Sequence, residues 1–157
     1  MPAVQTAYEQ YHSAYQLGQV GDTTSAVIVS RLVETDGGIG FAQPVFAGVA
    51  DRSCIAAPAA PDMSTFEGIT VAGIFGDPAL LVNNQTVDAY QKGSEAKVLE
   101  IGVVVVEVAS DVVFGQPVAI NASGAFVADS GDGVFAVPRA KFLESAASGS
   151  LVPVEIR

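Results

Sequence analysis

His12 and Cys54 are the only histidine and the only cysteine in the chain, and together they bound the chemistry open to it. Nucleophilic and general acid-base mechanisms need a base poised beside a nucleophile. His12 sits in a polar N-terminal stretch and reads as a solvated or interface residue. One Cys and one His cannot assemble a zinc site of the common types. Cys54 can form no intrachain disulfide, which suits a reducing cytoplasm, and reads as a buried apolar thiol rather than a reactive one. Asp129-Ser130-Gly131-Asp132-Gly133 brings two carboxylates together, but lacks the alternating ligands and distal Glu of a calcium loop. It is expected as a hairpin turn, with ion binding by Asp129 and Asp132 left open. There is no Gly-x-Ser-x-Gly elbow and no Walker loop, and Gly38-Ile39-Gly40 signals a turn only. Asn84-Gln85-Thr86 and Asn121-Ala122-Ser123 fit the glycosylation pattern and mark exposed loops. No catalytic, cofactor or metal-binding set emerges, so an enzyme is not expected.

Residues suited to contact are easier to find. Tyr8, Tyr11 and Tyr15 are three of the four tyrosines and alternate with Gln5, Gln10, Gln16 and Gln19, almost without charge. Their i, i+3, i+7 spacing sets the rings on one face if the segment is helical, with Gly18 and Gly21 ending it. Tyr offers broad contact area and a hydrogen-bonding tip. Gln5, Tyr8, Tyr11, Tyr15 and Gln16 are therefore the candidate interface residues. The arm either packs on its own domain or docks on a neighbour.

The elements that must carry them are strands. Sixteen Gly, eight Pro and abundant Val in 157 residues favour strands joined by tight turns. The expected class is all-β: an extended or short-helical arm at 1-25, then a single compact β-barrel or β-sandwich body at 26-157. Strands are expected at Ala26–Val33, Gln43–Ala50 (continued by Ser53–Ala57), Gly68–Phe75, Lys97–Ala109, Asp111–Ile120, Ala125–Ala128, Val134–Val137 and Leu151–Ile156. Val103-Val104-Val105-Val106 shows no alternation and should be covered on both faces, in part by a sister subunit. Asp77–Ala96 suggests short strands or a surface excursion, and Ala140–Ala147 one or two helical turns. Phe41-Ala42-Gln43-Pro44-Val45 is echoed by Phe114-Gly115-Gln116-Pro117-Val118, which reads as one local solution used twice: a Pro at strand entry with an aromatic packed beneath.

A formal net charge of -10 and seven scattered basic residues argue against nucleic acid as a partner. No Lys or Arg precedes Arg31, so a secretory signal is not expected, and Ile101–Val106 is too short to span a membrane as a helix.

The order of these features resembles the structural cement, or head decoration, proteins of tailed bacteriophage capsids. The resemblance runs from Gln5, Tyr8, Tyr15 and Gly18 through Gly40-Phe41, Pro44-Val45, Gly48, Cys54 and Phe66-Glu67-Gly68-Ile69-Thr70. It continues through Tyr90-Gln91-Lys92-Gly93, Val98-Leu99, Gly102-Val103-Val104-Val105, Gly115-Gln116-Pro117-Val118 and Gly124-Ala125-Phe126. It ends with Ala140-Lys141-Phe142-Leu143 and Gly149-Ser150-Leu151-Val152-Pro153-Val154. It implies a β-rich protein, made in the host bacterial cytoplasm, that binds the exterior of the major capsid protein shell. It also implies a homo-oligomer, a homotrimer ahead of a dimer, with no catalytic residues. The runner-up is a carbohydrate- or ligand-binding β-sandwich module of a virion or cell-surface protein. Absent Trp and the clustering of Tyr in the arm count against it. An enzyme subunit of a β-trimer type would need buried carboxylates that spacing does not locate.

Overall fold

The computed structural model describes residues 15–73, 81–82, 85–86 and 89–157. In chain order the strands are β1 (Val20–Val33), β2 (Ile39–Gly40), β3 (Pro44–Ala47), β4 (Ser53–Ala56), β5 (Phe66–Thr70), β6 (Leu81–Val82), β7 (Gln85–Thr86), β8 (Ala89–Tyr90), β9 (Glu95–Glu107), β10 (Pro117–Asn121), β11 (Phe126–Ala128), β12 (Val134–Phe142) and β13 (Leu151–Ile156). One 3-10 turn, Met63–Thr65, is capped by the Asp62 carboxylate, which accepts from the Ser64 amide at 3.0 Å. The all-β class is therefore observed. No helix among the described residues is long and apolar enough to cross a membrane.

The main sheet runs β1-β4-β3-β5-β9-β13-β12-β10-β11, and β1 also pairs with β9. That extra pairing closes a ring, β1-β4-β3-β5-β9, so the first half of the chain forms a small barrel. Leu99 marks the junction, pairing with Ile28 of β1 on one side and Ile69 of β5 on the other. The C-terminal half of β9 then pairs with β13, from Gly102↔Ile156 to Glu107↔Leu151. A Val108↔Phe126 bridge returns β11 to the end of β9, so a second ring shares the same strand. Closure on both sides removes the exposed edges that such apolar strands would otherwise offer.

This sharing explains the valine run. Val104, Val105 and Val106 are fully buried and pair with β13, with Val20 of β1 opposite Val104 on the other side and Gly18 and Gln19 bonded to Val105, and Val103 is half-buried. Covering on both faces is thus met without the sister subunit that was expected to help. One core cluster fills the first barrel around Val33, Val45, Cys54, Ala96 and Val98, and a larger one links Phe46, Ile69 and Leu99 to Phe126, Phe142 and Val154. A short β2-β8 ribbon sets Tyr90 beside Phe41, with ring centroids 5.3 Å apart, and the Tyr90 hydroxyl donates to the Val71 carbonyl at 2.6 Å.

Two strand-level expectations are corrected. The first strand, expected at Ala26–Val33, begins at Val20, and its leading residues pair with β9 at Val20↔Val104 and Asp22↔Val103. Ala140–Ala147 is not helical. Its amides are taken by other strands, Leu143 donating to the Pro153 carbonyl at 2.9 Å and Ala146 to Val112 at 3.0 Å, which leaves no i to i-4 ladder. Strands at 81–82 with 85–86, and at 89–90, fit the short strands expected in the 77–96 stretch.

Candidate docking surface

The echoed pentapeptide proves to be one construction built twice. Ala42 and Gly115 both take left-handed φ values, 52° and 78°. The Ala42 amide donates to the Thr70 carbonyl at 2.8 Å while the Thr70 amide donates back to Gln43 at 2.9 Å. Gly115 donates to Phe142 at 2.8 Å and Phe142 to Gln116 at 3.0 Å in the same reciprocal pattern. Pro44 and Pro117 then open β3 and β10. The aromatics differ, contrary to the expectation of a packed ring in both. Phe41 is 9% exposed and stacks edge-on with Tyr90, whereas Phe114 is 67% exposed.

Phe114 stands on a rigid turn. The Val113 amide donates to the Gln116 side-chain oxygen at 3.1 Å, Phe114 to Ser145 Oγ at 2.9 Å, and Gln116 back to the Val113 carbonyl at 3.0 Å. With Gly115 bound to Phe142, all four amides of the turn are satisfied within the chain. Residues 111–114 run antiparallel to 144–148 through the Val112↔Ala146 bridge, and the Asp111 carboxylate accepts from the Ser148 amide at 2.9 Å. Continuing that register sets Phe114 opposite Glu144.

Of the predicted contact residues, Tyr15 and Gln16 fall among the described ones; Gln5, Tyr8 and Tyr11, like His12, lie outside them. The Tyr15 hydroxyl donates to the Glu144 carboxylate, which raises its pKa, with burial adding to the effect. Tyr15 is thereby held beside the Phe114 turn while remaining 37% exposed. Gln16 is exposed, and its carbonyl accepts from the Gln19 amide at 3.0 Å in the turn that leads to β1. Val113 and Phe114 are both exposed on this turn, and Tyr15 is tied to Glu144 on the segment that pairs with it. Sequence reasoning missed Val113 and Phe114, because the echo that placed a ring at 114 gave no sign that this ring is left exposed.

A second exposed tip lies at the β3-β4 hairpin, where Val49 is 99% exposed. Glu34 accepts from the Val49 amide at 3.0 Å and the Ala50 amide at 2.8 Å. Bonds to the Ser53 side chain and to those two amides hold the Glu34 carboxyl below the usual glutamate range. A third feature is an open cleft of about 500 Å³ beside Arg31, whose guanidinium forks between Glu67 at 2.7 Å and Glu100 at 2.8 Å. Glu100 is half-buried in this ion triad. Asp129 and Asp132 lie in the β11-β12 turn, and no group of three metal-ligating side chains occurs among the described residues.

A rigid body with apolar tips and open clefts is suited to surface contact rather than to enclosing a ligand. Along residues 4–157 the sequence matches the family model described as "Structural cement protein (E217 gp24/Pam3 gp6)". The chain belongs to the phage structural cement protein family. The fold agrees with that of a chain in the capsid of Myoviridae phage XM1, at TM-score 0.69 and 22% identity, covering 99% of this chain and 98% of that one. The N base of the bacteriophage phi29 head fiber gp8.5 aligns more loosely, at TM-score 0.49 and 16% identity over 85% of this chain and 95% of that one. No curated protein sequence matches. As a cement protein the chain has a structural role in stabilising and decorating a phage capsid, and it associates with the capsid shell.

Proposed function

We propose that this cement protein binds the outer face of the assembled major capsid protein shell and ties neighbouring capsomers together, without a catalytic step. The observation that carries the reading is the family match along residues 4–157. The residues ahead of β1, most of the 1-25 arm, act as the fastening segment, through Gln5, Tyr8, Tyr11, Tyr15 and Gln16, and the sheet body that β1 opens at Val20 is what it secures. Tyr15, pinned to Glu144 yet still exposed, supports a junction between the two. A homotrimer, with a dimer as the alternative, gives each capsid site several such arms. The -10 charge supports a protein that stays clear of DNA phosphates.

The test is to mix purified protein with unexpanded and expanded shells of its phage. Saturable, stoichiometric binding with added density outside the shell is expected. Failure to bind either form refutes the reading, and the mass of the free protein decides the oligomer.

A further inference from the structure

We propose that the Val113–Phe114 turn, rimmed by Asp111 and Glu144, is a shell-docking tip that fits an apolar recess flanked by basic side chains on the capsid surface. The proposal rests on the shell-binding reading above and names the surface that performs it. Three observations carry it.

The first is an aromatic with no ring partner among the described residues. The same backbone construction packs Phe41 against Tyr90 in one copy and leaves Phe114 67% exposed in the other, beside Val113 at 61%. A bare Phe next to a bare Val loses free energy in water that burial elsewhere restores, and aromatic anchors of this kind dominate binding energies.

The second is rigidity. The four amides from Val113 to Gln116 are bound within the chain, so the turn offers a partner side chains rather than backbone. Little conformational entropy is left to lose when the ring is seated.

The third is charge, which selects the occupant. Asp111 and Glu144 are both exposed at the rim. The cation opposite Pro117, Lys141, is already paired to Glu155 at 3.1 Å, and Arg157 pairs with the same carboxylate at 3.1 Å. A second copy meeting this patch face to face would set carboxylates against carboxylates, in a chain of net charge -10. A basic surface meets no such repulsion.

The experiment measures binding of the intact protein to expanded shells by co-sedimentation, for wild type, Phe114→Ala and Glu144→Gln, with melting temperature and solution mass as controls. Phe114→Ala is expected to weaken shell binding about tenfold or more with its melting temperature and mass unchanged. Glu144→Gln keeps an acceptor for Tyr15 and should bind more weakly, with a shallower salt dependence than wild type. If wild type binds and Phe114→Ala binds equally, the tip is refuted while the shell-binding role stands. A change of mass in Phe114→Ala would assign the patch to contact between copies and overturn the proposal. Wild type failing to bind would remove the role itself, and this surface with it.

Discussion

At the residue scale, two side chains illustrate how burial and hydrogen bonding set reactivity. Cys54 is fully buried inside the first barrel, and burial pushes its thiol up to about 11. Since the thiolate is the reactive form, native protein at pH 8 should be inert to a thiol-specific reagent and titrate one thiol only after unfolding. Rapid labelling of the folded protein would contradict the packing. Glu34 behaves oppositely. Its carboxyl is depressed in the folded state by the Ser53 side chain and the Val49 and Ala50 amides. A carboxyl depressed on folding stabilises above its unfolded pKa, and that stabilisation is lost as pH falls through the folded value. Wild type should therefore melt above Glu34→Gln at neutral pH, and the two curves should converge as pH drops below the usual glutamate range. A gap that persists unchanged to low pH would assign the effect to packing. The buried-thiol reading of Cys54 followed from its being alone in an apolar context. The Glu34 clasp was not legible, because its partners lie 15 and 16 residues away across a hairpin that only folding defines.

At the element scale, backbone room decides more than propensity. Gly68 in β5 has φ 149°, and a Cβ built there would fall 2.2 Å from the Leu99 carbonyl oxygen of β9, so the closure of the first barrel depends on a missing side chain. Gly115 has φ 78° but open space around it. Gly68→Ala should cost roughly 2 to 4 kcal/mol, because a backbone oxygen must move, and Gly115→Ala about 1 kcal/mol for left-handed φ alone. Denaturant melts of the two variants decide this, and equal losses would mean β5 and β9 pack less tightly than described. Strand identity was legible in part: Asp111–Ile120 was read as one strand, whereas that strand begins only at Pro117, after the Val113–Gln116 turn. Leu151–Ile156 appears with the expected bounds, and the non-alternating valines of β9 are covered on both faces. What the pattern could not carry was which strands pair. A parallel β1-β4 pair, and one long strand serving two rings, depend on contacts far apart in the chain. The helical reading of Ala140–Ala147 failed for the same reason, since distant strands capture its amides.

At the scale of the whole molecule, two closed rings sharing β9 make the body, and the backbone bonds of the leading described residues show where it begins. The candidate contacts were read from Tyr and Gln spacing, yet the partner of Tyr15 is Glu144, 129 residues further on, which no local spacing could reveal. Three backbone bonds draw the boundary. Gly18 donates to the Val105 carbonyl at 2.9 Å, Val105 donates to Gln19 at 2.9 Å, and Ala72 donates to Gly18 at 2.8 Å. Residues 18–20 thus line the edge of β9 where the valine run is buried. A deletion of residues 1–20 removes these bonds and bares that edge, so it should lower stability by roughly 2 to 4 kcal/mol and promote aggregation. A deletion of residues 1–14 leaves all three bonds in place and should melt like the full chain. If the leading residues fasten the body to its shell, the shorter deletion loses shell binding while keeping its melting temperature. Equal shell binding by that deletion would move the fastening role to the body and leave Val113 and Phe114 to carry it. An unchanged melting temperature in the longer deletion would show that β9 needs no cover on that edge.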